Sequence, residues 1–217
     1  MPVQALGLQV VYLDDALIVL DKPSGLLSVP GRGEDKQDCL SARVQAVYPD
    51  ALVVHRLDMA TSGLIVMARG LAAQRTLNRA FAEREVHKRY EAVVHGQLST
   101  PPGTWQVIDL PIRVDWPNRP LRIIDPQQGQ ASVTRLRTLS VDAHNNTSRV
   151  ELEPVTGRSH QLRVHLLALG HPMLGDALYA PAEVTGRSAR LLLHARTLGV
   201  PHPDNGRMME WHSLVPF

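Results

Sequence analysis

The chain has 217 residues, of which 44% are apolar and 20% charged, with one cysteine and a formal net charge of +2. That length can bury a large core as one domain or two small lobes, while no stretch approaches the roughly 20 apolar residues of a membrane span. The single Cys39 excludes an internal disulfide, and the start MPVQALGLQVVYL has no basic, apolar leader, so a cytoplasmic location is expected.

From the amino terminus, LQVVYLDDALIVLDKPSG reads as two strands about an Asp14-Asp15 turn, closed by Pro23-Ser24-Gly25. Leu40, Val44 and Val47 recur at helical spacing over 37–47, which places Cys39 inside an amphipathic helix that Tyr48-Pro49-Asp50 ends. LVVH returns to strand, RLDMATSG is a loop and LIVMA is a second strand, so Asp58 sits in a loop between two buried strands. Residues 70–84 form a helix with Leu71, Gln74, Leu77 and Phe81 on one face, followed by a strand from about Val86 to His95. PPGTWQVIDLPIRVDWPNRP is too rich in proline for a central strand and reads as an edge strand plus an exposed loop. ASVTRLRTLSV and SRVELEPV pair as a hairpin across DAHNNT. A helix opens at Thr156-Gly157, carries Leu162, Leu166 and Leu169 on one side and stops at Gly170. RLLLHA is a buried strand, and Asn205-Gly206 turns the last hairpin. Many hairpin-paired strands with about three helices predict an α+β domain on a mixed, largely antiparallel sheet.

Most familiar chemistries lack their residues. There is no phosphate-binding or dinucleotide glycine loop, no serine elbow, and no paired cysteines or H-E-x-x-H among the ten histidines; His160 and His165, five apart, point to different faces of a helix. No metal is expected. Asp58 is the only acidic residue between Ala51 and Ala82, so the facing carboxylate pair of a glycosidase is not marked in sequence. Its company is cationic: Arg56 in the same loop, and Arg163 in the first turns of a helix, both of which favour an ionised carboxylate. An ionised aspartate suits a nucleophile or an electrostatic partner; a structural Arg–Asp pair tying loop to helix fits the same residues equally well. The basic residues are three lysines and 20 arginines. Arg75, Arg79, Arg84, Lys88 and Arg89 cluster, as do Arg113, Arg119 and Arg122 around Trp116 in RVDWPNRPLR. Such loops match either a nucleic-acid contact or solvated surface charge.

HRLDMATSGLIVMA resembles the signature of the RluA-type pseudouridine synthases, and LDKPSGLLSVPG, KRYEAVV, TGRSHQLRVHLLALGHPMLGD and RLLLHA follow the family's order over nearly the whole chain. VDWPNRP and the short length are most similar to the family's dual-specificity members, which act on ribosomal and transfer RNA. The resemblance implies isomerisation of uridine to pseudouridine without cofactor or metal. It also implies one catalytic domain over 1–217, with a curved mixed sheet in two halves and no preceding RNA-binding domain.

Carried over by motif, Asp58 is the catalytic aspartate, attacking ribose C1′ or uracil C6; Arg163 pairs with it and Tyr90 stacks on the uracil. Arg56 contacts RNA near the extruded nucleotide and Leu193 lines the pocket with apolar surface. Arg113, Trp116, Arg119 and Arg122 are expected to grip a stem-loop of 23S rRNA or of the tRNA anticodon arm. A monomer is expected. Two other classes remain open at this level: an RNA-binding protein that keeps the fold without the chemistry, and a hydrolase that uses an aspartate nucleophile on a glycosidic bond.

Overall fold

The computed structural model describes residues 7–217. Two compact units divide the chain: residues up to Lys88 together with Ala195–Pro216, and Arg89–His194 together with Phe217. Both are α+β with antiparallel pairings, as the hairpin-rich sequence predicts.

In the first unit, β1 (Gln9–Leu13) and β2 (Leu17–Lys22) pair antiparallel, with Gln9 opposite Asp21. Asp14 builds the turn between them, its Oδ1 accepting the amides of Ala16 and Leu17 at 2.8 and 2.9 Å. β4 (Ser62–Arg69) pairs antiparallel with β2 and with the short β3 (Ala51–Val53). β11 (Leu193–Pro201), which belongs to this unit from Ala195 onward, turns through Gly206 (φ 71) into β12 (Met208–His212). One sheet face carries Leu17 and Val19 of β2, Leu64, Val66 and Ala68 of β4, and Leu198 and Val200 of β11. Their spacing of two puts them on one side. Helix α2 (Gly70–Glu83) covers that side with Ala73, Leu77 and Ala80.

The helical faces differ from expectation in two places. Leu71 is 63% exposed, because the buried stripe of α2 runs through alanines that let the helix approach the sheet closely. Cys39 does not lie within α1 (Leu40–Gln45) but caps it, its sulfur accepting the Ala42 amide at 3.4 Å. A side chain that accepts at that position satisfies one of the helix's orphan amides.

In the second unit the strand order is β5 (His87–His95, from Arg89 onward), β10 (Thr147–Pro154), β9 (Val133–Asp142) and β6 (Gln106–Asp109). β6 stands at the edge, as the prolines around it require. The sequence did not reveal β7 (Ile112–Val114) and β8 (Arg122–Ile124), a small separate hairpin that presents the VDWPNRP loop. Helix α3 (Gln161–Ala168) begins four residues later than Thr156-Gly157 suggested; His160 precedes it in a left-handed conformation (φ 59). Leu162 and Leu166 are buried, but Leu169 is 41% exposed because it lies past the last helical turn. Gly170 (φ 79) then stops the helix. The chain adds a four-residue helix, α4 (Ala182–Thr185).

The opposite face of this sheet is a ladder of charge. Arg135 pairs with Glu153, Arg137 with Glu151, and Arg89 with both carboxylates, while the Trp105 ring lies under all three guanidinium groups at 4.7–5.3 Å. Arg89 therefore leaves the basic cluster that the sequence put it in. Arg84 caps α2 with φ 63, and burial lowers the pKa of Lys88. Only Arg75 and Arg79 of that group remain on an exposed helix surface.

Candidate active site

The loop between β3 and β4 is fixed by the segment that follows β2. Four consecutive carbonyls are bonded. Leu57 O accepts from Ser28 Oγ at 2.7 Å, Asp58 O from the Thr61 amide at 3.1 Å, and Ala60 O from Ser24 Oγ at 2.7 Å. Met59 O accepts from the Gly25 amide at 2.8 Å and from Lys22 Nζ at 3.1 Å. The Leu57 amide returns a bond to Ser28 Oγ at 3.1 Å. With a carbonyl bonded on every residue from 57 to 60, the half-buried Asp58 carboxylate is presented from a preset loop. Arg56, two residues earlier, is exposed.

Lys22 is wholly buried, and its ammonium also donates to Pro23 O at 2.9 Å and Leu26 O at 2.8 Å. Lysines are rarely buried without compensation, and here three carbonyls match its three donors. Gly63 (φ 111) follows the loop where a Cβ would lie 2.4 Å from Ala195 O, so only glycine lets β4 pass.

His55 anchors the other end of the loop. Its Nε2 accepts the Val66 amide at 3.0 Å, and its ring stacks on Phe81 with centroids 4.6 Å apart. Burial, aided by the nearby Lys88 charge, lowers its pKa to about 3. The imidazole is therefore neutral in the fold, whereas in the unfolded chain it titrates near its ordinary value of 6.5. A depressed folded pKa means stability is complete above about pH 6.5 and declines as pH falls toward about 3. The expected slope is on the order of 1 kcal/mol per pH unit. Urea unfolding at pH 7, 6 and 5 should show a His55→Gln variant losing less stability with acid than the parent; parallel curves would contradict the assignment.

In the second unit, Tyr90 lies half-buried on β5 opposite Leu152 of β10, and Leu193 is buried at the start of β11. Arg163, the third residue of α3, is buried and grips Asp176, with Nε 2.8 Å from Oδ2 and Nη2 bonded to Oδ1. Oδ1 of Asp176 also accepts the amides of Leu178 and Tyr179 at 3.0 and 3.2 Å. That turn places the Tyr179 ring 4.9 Å from the Arg163 guanidinium. The Tyr179 hydroxyl bonds His160 Nδ1 at 2.6 Å and accepts the Arg122 amide at 3.0 Å; burial pushes its pKa up to about 12, which keeps it neutral. Arg163 is thus connected through Tyr179 to the β7–β8 hairpin.

That hairpin holds the remaining candidates together. Trp116 is 63% exposed with the Arg119 guanidinium 4.7 Å from its ring, and Arg113 pairs with Asp125 at 2.5 Å. His160 and His165 do point apart: His165 is buried against Thr134 Oγ1 and Leu110 O, both at 2.9 Å. No cluster of three or more potential metal ligands occurs among the described residues. Sequence reasoning missed Lys22, Ser24, Ser28 and His55 around Asp58, and Asp176 and Tyr179 around Arg163. All but Tyr179 lie inside the motifs that carry the family resemblance, and Tyr179 lies three residues beyond the motif that ends at Asp176.

Comparisons with known proteins identify the family and the fold. Residues 16–168 match the family model described as RNA pseudouridylate synthase. The dual-specificity RNA pseudouridine synthase RluA of Escherichia coli is 49% identical over 216 residues, covering 100% of this chain and 97% of that protein. Its namesake from Haemophilus influenzae is 46% identical, covering 97% and 94%. Among solved structures, human RNA pseudouridylate synthase domain containing 1 superposes with a TM-score of 0.78 at 32% identity, covering 97% of this chain and 84% of that one. With the family's model spanning most of its length and relatives near half identity from end to end, this chain belongs to the RNA pseudouridylate synthase family.

Proposed function

We propose that this RNA pseudouridine synthase isomerises uridines in stem-loops of 23S rRNA and of the tRNA anticodon arm, with Asp58 attacking a flipped-out nucleotide. The observation that carries the reading is the loop of residues 57–60, whose four bonded carbonyls hold one carboxylate in a preset place. The chemistry is balanced within the substrate. The N1–C1′ bond breaks, C5–C1′ forms, N1 gains a proton and C5 loses one, so neither oxidant nor group donor is needed. No cofactor or metal enters the proposal. Stacked uracil hides its glycosidic bond, and extrusion costs a few kcal/mol, least in a loop. Tyr90 stacks on the extruded uracil, Arg163 sets the electrostatics, Leu193 supplies apolar wall and Arg56 contacts the RNA near the vacated position. The dual-specificity relatives support action on more than one RNA class. A monomer working in the cytoplasm fits this role, and no helix among the described residues is long and apolar enough to cross a membrane.

Tritium release from [5-³H]uridine-labelled tRNA and 23S rRNA fragments tests the reaction. Release with unchanged RNA mass is expected. Freed uracil would indicate a hydrolase, and binding without release from either RNA would indicate an RNA-binding protein.

RNA gripping by the β7–β8 hairpin has its own test. Among the described residues the Arg122 guanidinium bonds only backbone carbonyls, Pro120 O at 2.9 Å and Leu121 O at 3.1 Å, so its charge is available to a phosphate. Arg122→Gln should weaken stem-loop binding and reduce the slope of log Kd against log salt by roughly 0.7 to 0.9, the loss of one phosphate contact. An unchanged slope between 50 and 200 mM salt would remove Arg122 from the interface.

A further inference from the structure

An open cavity of about 500 Å³ lies in the second unit, between the β7–β8 hairpin, the turn over 125–130 and the segment 157–159 that leads to α3. Its lining includes Arg113, Trp116, Arg122, Gln128, Gln130 and Arg158. The volume exceeds what one base needs and suits a whole nucleotide. The positive charge is not cancelled locally. Arg113 is neutralised by Asp125, but among the described residues the only side-chain hydrogen bonds of Arg122 and Arg158 go to backbone carbonyls, that of Arg158 to Ala131 O at 3.4 Å. The side-chain amides of Gln128 and Gln130 have no partner among the described residues, and both side chains are exposed.

The walls are rigid. Asp125 Oδ1 accepts the amides of Gln127 and Gln128, both at 2.9 Å, and its carbonyl accepts the Gly129 amide at 2.9 Å. A Cβ on Gly129 would lie 2.4 Å from Asp125 O, so the turn closes only on glycine. The Gln130 backbone bonds Ile112 in both directions, at 2.8 and 3.0 Å. On the other side, Gln161 fixes the approach to α3 by accepting from the Thr156 hydroxyl and the Arg158 amide. A rigid cleft with two unneutralised arginines, an exposed indole and two unpartnered amides is equipped to hold one unpaired nucleotide: phosphate on Arg122 and Arg158, base against Trp116, and base edge at Gln128 and Gln130.

We infer that this cavity binds one unpaired loop nucleotide of the RNA other than the uridine being isomerised. The inference rests on the proposed function, and it adds a second point of register that selects which uridine reaches Asp58.

The test is a set of stem-loops, each abasic at one loop position, measured by filter binding and tritium release with the parent protein and with Gln128→Ala/Gln130→Ala. Thermal melts check that the variant is folded. One non-target position should weaken parent binding at least tenfold when abasic, while the double variant binds that RNA and the intact one within about twofold of each other. If every non-target abasic site affects parent and variant equally, the cavity holds no base and the inference fails. Absence of tritium release from the intact stem-loops would instead overturn the proposed function, so the two failures are distinguishable.

Discussion

Replacing Asp58 by asparagine should reduce tritium release by at least about a thousandfold while stem-loop affinity stays within a few-fold of the parent value. An amide has the shape of the carboxylate but neither its charge nor its nucleophilic lone pairs, so the covalent step has no other source. The backbone of residues 57–60 keeps its own bonds in the variant: Ser28 to Leu57 O, Thr61 to Asp58 O, Lys22 and Gly25 to Met59 O, Ser24 to Ala60 O. The variant should therefore fold and bind. Single-turnover kinetics with matched Kd measurements separate the outcomes. Retention of more than a few per cent of the rate would make Asp58 a structural residue, and loss of rate together with binding would mean that its side chain shapes the RNA contact.

The second large effect is expected at Lys22. Its buried ammonium bonds Pro23 O, Leu26 O and Met59 O, and Lys22→Met fills the same space while taking this donor from Pro23 O and Leu26 O and leaving Met59 O with the Gly25 amide. Unsatisfied buried acceptors cost about 1–3 kcal/mol each. A loss of roughly 3 kcal/mol in urea unfolding is the expected result. Activity should fall further than stability explains, since Met59 adjoins Asp58 and a displacement of about 1 Å in a reacting group can cost a hundredfold in rate. The loss should appear in kcat more than in KM for RNA. A stability change below about 1 kcal/mol would show that the three carbonyls find other donors, water included.

These two residues were unequally visible in the sequence. Asp58 stands alone among 32 residues as an acid between two apolar runs, and a loop on a rigid scaffold is where such a group acts. Lys22 ends an apolar strand next to Pro-Ser-Gly, where a lysine is ordinarily solvated. Nothing local says that its ammonium turns inward, because its third carbonyl arrives from 37 residues away. Arg163 shows the same limit: the sequence marks it as a helical arginine near the site, while its bidentate partner, Asp176, lies 13 residues on. The basic run from Arg75 to Arg89 was misleading for a related reason. Arg89 is occupied by Glu151 and Glu153, strand residues that reach it only through sheet pairing.

What the sequence determined by itself was local and periodic. Two-residue alternation set the strands, Asp14-Asp15 and Asn205-Gly206 set two hairpins, proline set the edge position of β6, and the motif order carried the family. Tertiary structure decided which polar groups are partnered and which are left for a ligand. It buried Lys22, half-buried His55 against Phe81, joined Tyr179 to Arg163, exposed Leu71 and Leu169, and raised the β7–β8 hairpin with its cavity. The reason is physical: periodicity reports how a segment meets the core, whereas hydrogen bonds and charges depend on atoms brought together from distant positions, which no window of sequence contains.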